Sequence, residues 1–152
     1  MLVADFAKYG IENFTPEEVM DTGAKLQDVH VETMQAIQKF RTYIRRRVCL
    51  IKNGITTGKH TARAHPAGYA IDFYLPPEDG HCNIHLIYKG CLHANFKAFG
   101  IYWNQKQYSF HGEVNNPYRY DFARWIGVKD SSKNINDWQW HSLLQEPRNI
   151  LL

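Results

Sequence analysis

An α+β fold, with helices packed on one side of a mostly antiparallel sheet, is what the residue pattern predicts. Three observations carry it. Val31, Met34, Ile37, Phe40 and Ile44 recur at helical spacing and form one apolar stripe. Short runs rich in apolar and aromatic residues, Val48–Ile51, Tyr69–Leu75 and Tyr108–Val114, have strand character. Gly100–Asn104 and Tyr108–Val114 are separated only by Gln105-Lys106-Gln107, which is hairpin spacing.

Taken in order, Thr15-Pro16-Glu17-Glu18 starts a helix. Thr15 caps it, Pro16 suits the first turn, and Glu18 completes a capping box. Gly23 keeps that helix short. A second helix is expected from about Val29 to Arg47, with Arg45, Arg46 and Arg47 in its last turn, where cations suit the helix dipole. This basic run is expected to be a solvated helix end, because no aromatic platform or nucleic-acid fold signature accompanies it. Val48–Ile51 then forms a buried strand, and Asn53-Gly54 turns the chain. After a loop to His65, Tyr69–Leu75 forms a central strand that Pro76-Pro77-Glu78-Asp79-Gly80 ends. His81 to Phe96 is expected to be helical, with Ile84, Ile87, Cys91 and Phe96 inward. Gly90 weakens that helix by about 1 kcal/mol relative to alanine. The hairpin follows, and Trp125, Trp138 and Trp140 are expected to pack over the core.

The chain has 152 residues and no repeat, low-complexity tract or linker, so a single domain over 1–152 is expected. Its core is placed at about 14–125, with 126–152 packing over it. That length buries a core without disulfide or metal staples. The net charge of +3 is too small to argue for nucleic acid and is compatible with an anionic polymer such as cell-wall material. Cys49, Cys82 and Cys91 are odd in number and form no CxxC, so reduced thiols are expected, with Cys82 and Cys91 at buried apolar positions. The opening MLVADFAKYGIENF has no basic leader before an apolar stretch, so no signal peptide is expected and the protein is made in the cytoplasm. No run is long enough to insert into a bilayer.

The chemistry concentrates in His65-Pro66-Ala67-Gly68-Tyr69-Ala70-Ile71-Asp72-Phe73. A loop histidine is followed seven residues later by an aspartate on a strand, and Gly68 lets the backbone turn closely between them. Imidazole nitrogen and carboxylate oxygen are both zinc donors, and one more histidine would leave a fourth position open for water. His81 and His85 have the i, i+4 spacing of a helical zinc pair, but Cys82 stands where HExxH would carry its base; surface helix histidines are expected there.

HPAGYAIDF resembles the HxxGxAxD signature of the zinc D,D-carboxypeptidase and murein-endopeptidase superfamily, whose fold is shared with the Hedgehog signalling domain. Phe14-Thr15-Pro16-Glu17-Glu18 is similar to the FTxxE start of phage and bacterial members, and Ile55-Thr56-Thr57-Gly58 to their ITSGYR strand end. Phe99–Trp103 and Ser109–Val114 look like the G-x-Y-Y and F-V-H-x-D pairing of the small murein-endopeptidase branch, with Arg124-Trp125 at its later Arg and Trp. The resemblance spans roughly residues 14 to 125. It implies a Hedgehog/DD-peptidase-like fold and Zn2+ held by His65, Asp72 and His111. It also implies hydrolysis of peptide bonds in peptidoglycan, reached after export, lysis or phage delivery. His141 is the rival third ligand, since other branches end on a carboxylate, an aromatic and a histidine; Asp137 is four residues before it rather than three.

The chain also departs from the family pattern. Arg63 stands where the family has serine, and the arginine of ITSGYR falls near Lys59 or His60. Arg63 or His60 is expected to supply a donor to the developing oxyanion. Tyr108 and Ser109 occupy the places of the general base. Glu113, two residues beyond His111 on the same strand face, is expected as the base or as the partner of that histidine. These departures motivate the alternative of a catalytically degenerate member, serving as a cell-wall-binding or structural module of a phage particle. A peptidase for a non-murein peptide is a third option.

Overall fold

The structure, a computed structural model, describes residues 1–55, 64–114, 123–129 and 138–142, the last segment by its backbone except at Ser142. The helices are α1 (Asp5–Lys8), α2 (Pro16–Asp21), α3 (Val31–Ile44) and α4 (Ile84–His93). The strands are β1 (Cys49–Leu50), β2 (Ala70–Tyr74), β3 (Ala98–Trp103), β4 (Tyr108–Glu113), β5 (Ala123–Lys129) and β6 (Trp138–Ser142). They form one sheet in the order β1-β2-β4-β3-β5-β6. The β3–β5 pairing is parallel and the other pairings are antiparallel, so the class is α+β with a mixed sheet.

Local chemistry explains where the helices begin and end. Thr15 accepts from the Glu18 amide, and the Glu18 carboxylate accepts from the Thr15 amide, which is the expected capping box. α3 is shorter than expected at both ends. His30 is extended, and Arg45 turns left-handed at φ 53 while its N–H closes on the Arg41 carbonyl. The basic run lies just past the helix rather than in its last turn, and Arg45 and Arg47 are solvent-exposed as expected. Arg46 donates to the carbonyls of Asp79, Gly80 and His81, and Arg47 pairs with Glu78 and Asp79, so both arginines hold the turn that follows β2. α4 starts at Ile84 rather than His81, because the Asn83 side chain caps it by accepting from the His85 amide. His81 and Cys82 therefore precede the helix. The hairpin between β3 and β4 is set by Asn104, whose side-chain oxygen accepts from the amides of Lys106 and Gln107.

The sheet has one greasy face and one chemical face, as strand alternation requires. Ile71, Phe73, Phe99, Ile101, Phe110 and Ile126 point to the helices and are almost wholly buried. Phe40 of α3 packs edge-on against Phe73, with ring centroids 5.1 Å apart, and lies 5.4 Å from Phe110. Tyr88 of α4 meets Phe99 at 5.8 Å. Both long helices thus cover the same face, each such side chain contributing about 1.5–3 kcal/mol by leaving water. Cys82 and Cys91 are buried free thiols, as expected; Cys49 is free and half-buried. Among the described residues, no helix is long and apolar enough to cross a membrane.

Candidate metal centre

The opposite face of the sheet carries the residues singled out by their chemistry. In the β2–β4 ladder Asp72 and His111 are direct cross-strand partners, which brings their side chains together. Asp72 is locked in place by its backbone: its N–H donates to the Gly54 carbonyl at 2.7 Å, and its carbonyl accepts from Ile51 at 3.1 Å.

His65 arrives from the turn Ala64–Gly68, just before β2. The Gly68 amide donates to the His65 carbonyl at 3.0 Å, and the Tyr69 amide to the Ala64 carbonyl at 2.9 Å. Gly68 has φ +77, and a Cβ there would overlap the Asp28 carbonyl oxygen, so this position takes glycine for both conformation and space. The start of α3 grips the turn, since the Gly68 carbonyl accepts from the Thr33 hydroxyl at 2.7 Å. The His30 ring stacks on Tyr69 at 3.9 Å. His65 is left only 2% exposed.

Three donor atoms converge. His65 Nε2 lies 3.0 Å from His111 Nδ1, His111 Nδ1 lies 2.9 Å from Asp72 Oδ1, and His65 Nε2 lies 3.3 Å from Asp72 Oδ1. Each imidazole is held from behind. His65 Nδ1 is 3.2 Å from the Ile55 carbonyl, and His111 Nε2 is 2.9 Å from Glu113 Oε1. Carbonyl and carboxylate oxygens only accept, so the neutral rings carry their protons at those rear atoms. The front atoms are then lone pairs, and they face one another and a carboxylate oxygen.

Three acceptors at this spacing repel unless a positive charge sits among them. A proton is one solution. Burial pulls the His111 pKa down, but the hydrogen bonds and charges of Asp72 and Glu113 outweigh it and raise the group to about 9. Burial likewise pushes Asp72 up, while its hydrogen bonds with His111 and His65 outweigh that and lower it to about 2. A divalent cation is the other solution. In a tetrahedral site with bonds of about 2.0–2.1 Å, ligand atoms stand roughly 3.3 Å apart, close to the spacing here. The His65, Asp72 and His111 side chains therefore fit a metal ion, with two nitrogens and one oxygen as donors. Among the described residues no other group of three His, Cys, Asp or Glu side chains gathers in this way.

Glu113, 1% exposed, sits behind His111 rather than across an open cleft from it. Arg63 and His60 lie outside the described residues, as do the side chains of His141, Trp138 and Trp140. His141 falls on β6, opposite Ile126 of β5. His81, outside the helix expected for it, sets its ring against Trp103 and Tyr108. The Ile55 carbonyl and Tyr102 carry no motif signal and lie near the site only through folding; the period-two alternation on β3 places Tyr102 on the site face. Trp125 was expected over the core. Instead it stands on the site face, its ring 5.7 Å from that of His111. No family model, curated protein or solved structure matches the chain.

Proposed function

We propose that the chain is a zinc-dependent peptidase that hydrolyses peptide bonds in peptidoglycan stem or cross-link peptides, on a fold of the Hedgehog/DD-peptidase type. The observation that carries it is the convergence of His65 Nε2, Asp72 Oδ1 and His111 Nδ1 within 3.3 Å. Three protein donors leave a tetrahedral ion one open position, the pattern of catalytic rather than structural zinc. The HxxGxAxD residues supply the substrate class, by resemblance alone.

A bound zinc ion supplies Lewis acidity, polarising the scissile carbonyl and lowering the pKa of water to about 7. The residues prepare that chemistry. Asp72 brings a fixed negative charge that matches the cation. The Ile55 carbonyl and Glu113 hold both imidazoles in the tautomers that present a lone pair forward. The 2.9 Å hydrogen bond from His111 supports Glu113 as the orienting partner of a ligand rather than as the general base. Arg63 and His60 are the proposed oxyanion donors, on the strength of their places in the motif.

One observation favours the second reading, a binding or structural module of the cell wall or a phage particle. The buried carboxylate of Glu113 is engaged with His111. Metal content and turnover separate the two. Purified protein is expected to hold one zinc per chain by mass spectrometry, to lose it in His65→Ala and Asp72→Ala, and to release peptide fragments from murein. Zinc binding without release in any murein or peptide substrate favours the binding module. A wild-type chain that takes up no divalent metal at micromolar concentration overturns both.

A further inference from the structure

Across the site face, Asp72 of β2 and His111 of β4 are followed by Gly100 of β3 and Trp125 of β5, joined by direct register partners. Gly100 has no side chain to fill its place, and a Cβ there would run into the indole of Trp125. The indole therefore lies over β3 and reaches towards the His111 ring. In that position its Nε1–H donates to the hydroxyl oxygen of Tyr102 at 3.0 Å. Tyr102 stands two residues along from Gly100 and so shares the face of the metal ligands.

An indole nitrogen is a donor only, so the Tyr102 oxygen is the acceptor in that contact and the phenolic proton is directed away from the indole. A half-buried hydroxyl whose oxygen is clamped in this way has lost most of its rotational choice. Tyr102 stands diagonally across the β3–β4 ladder from His111, on the flank opposite Asp72.

Resting on the peptidase reading, we propose that Tyr102 is a catalytic residue. Its hydroxyl donates to the carbonyl oxygen of the scissile peptide as negative charge develops there, and Trp125, seated over Gly100, is its positioning residue. Preorganised donors of this kind act mainly on the transition state, so their loss reduces kcat more than it raises KM.

The test uses zinc-loaded full-length protein and the variants Tyr102→Phe and Trp125→Phe. Four quantities are measured: zinc affinity, kcat and KM on murein peptides, affinity for a phosphinate pseudodipeptide by calorimetry, and indole N–H resonances. Tyr102→Phe is expected to lower kcat and phosphinate affinity about 100-fold, with KM within about threefold of wild type. Zinc affinity is expected to stay unchanged in both variants. The indole resonance missing from Trp125→Phe is expected to move upfield in Tyr102→Phe, and Trp125→Phe to lower kcat about 10-fold. Wild-type kcat and phosphinate affinity in Tyr102→Phe overturn the role of Tyr102 and leave the peptidase reading standing. So does a Tyr102→Phe variant whose losses follow weakened zinc binding. A zinc-loaded wild-type chain that neither cleaves peptides nor binds the phosphinate overturns both.

Discussion

Glu113→Ala tests whether the buried carboxylate behind His111 is part of a metal site. Its Oε1 is 2.9 Å from His111 Nε2, and the residue is 1% exposed, so water does not readily replace it. Removing such a partner typically weakens metal binding 10- to 100-fold, because the ligand imidazole loses both its fixed tautomer and part of its basicity, or about 1.4–2.7 kcal/mol. Zinc stabilises the folded state in proportion to the logarithm of its affinity, so the same loss appears in thermal melts. For a domain of this size 1 kcal/mol moves the midpoint by about 2–4 °C. The zinc-induced rise in melting temperature is thus expected to shrink by about 3–11 °C relative to wild type at equal free zinc. Comparing the increments, rather than the melting points, removes any harm the substitution does to the metal-free fold. Glu113→Gln is expected to fall between, since its carboxamide oxygen still accepts. Chelator-competition titration gives the affinity directly. Wild-type zinc affinity in Glu113→Ala would refute the assignment of Glu113 to the metal site.

The remaining predictions concern protons and packing. In the metal-free protein His111 is raised to about 9 from 6.5, so its protonated form stabilises the fold fully below pH 6.5 and that contribution is lost as the pH rises through 9. Asp72 is lowered to about 2 from 3.8, so its contribution is present above pH 3.8 and is lost as the pH falls through 2. Zinc must displace the His111 proton, so its association constant is expected to rise about tenfold per pH unit below 9 and then level off; a flat profile between about pH 6 and pH 8 refutes this. Gly68→Ala combines a positive φ with a collision against the Asp28 carbonyl, and is expected to destabilise the fold by about 2–4 kcal/mol and to weaken zinc binding, both read from melts with and without zinc. Phe40→Ala, fully buried against Phe73 and Phe110, is expected to lose about 3–5 kcal/mol in denaturant titration while zinc stoichiometry at saturation stays unchanged.

Much of this protein is legible along the chain because its determinants are local. The cap of α2 needs only Thr15 and Glu18, which are three residues apart. The apolar stripe of α3 and the alternation of β2 and β4 are periodic, so the chain alone marks which side chains share a face. His65, Gly68 and Asp72 are likewise recognisable from their spacing, since one tight turn and one strand separate them. The helix ends were less legible, because Arg46 and Arg47 bond to a turn more than 30 residues away. What only the tertiary structure decided is which groups meet around those ligands. Register alone sets His111 opposite Asp72, brings Glu113 behind His111, and lays Trp125 over Gly100 so that it reaches Tyr102. A strand's sequence specifies its two faces, but the strand it pairs with, and at what offset, follow from the packing of the whole sheet against α3 and α4.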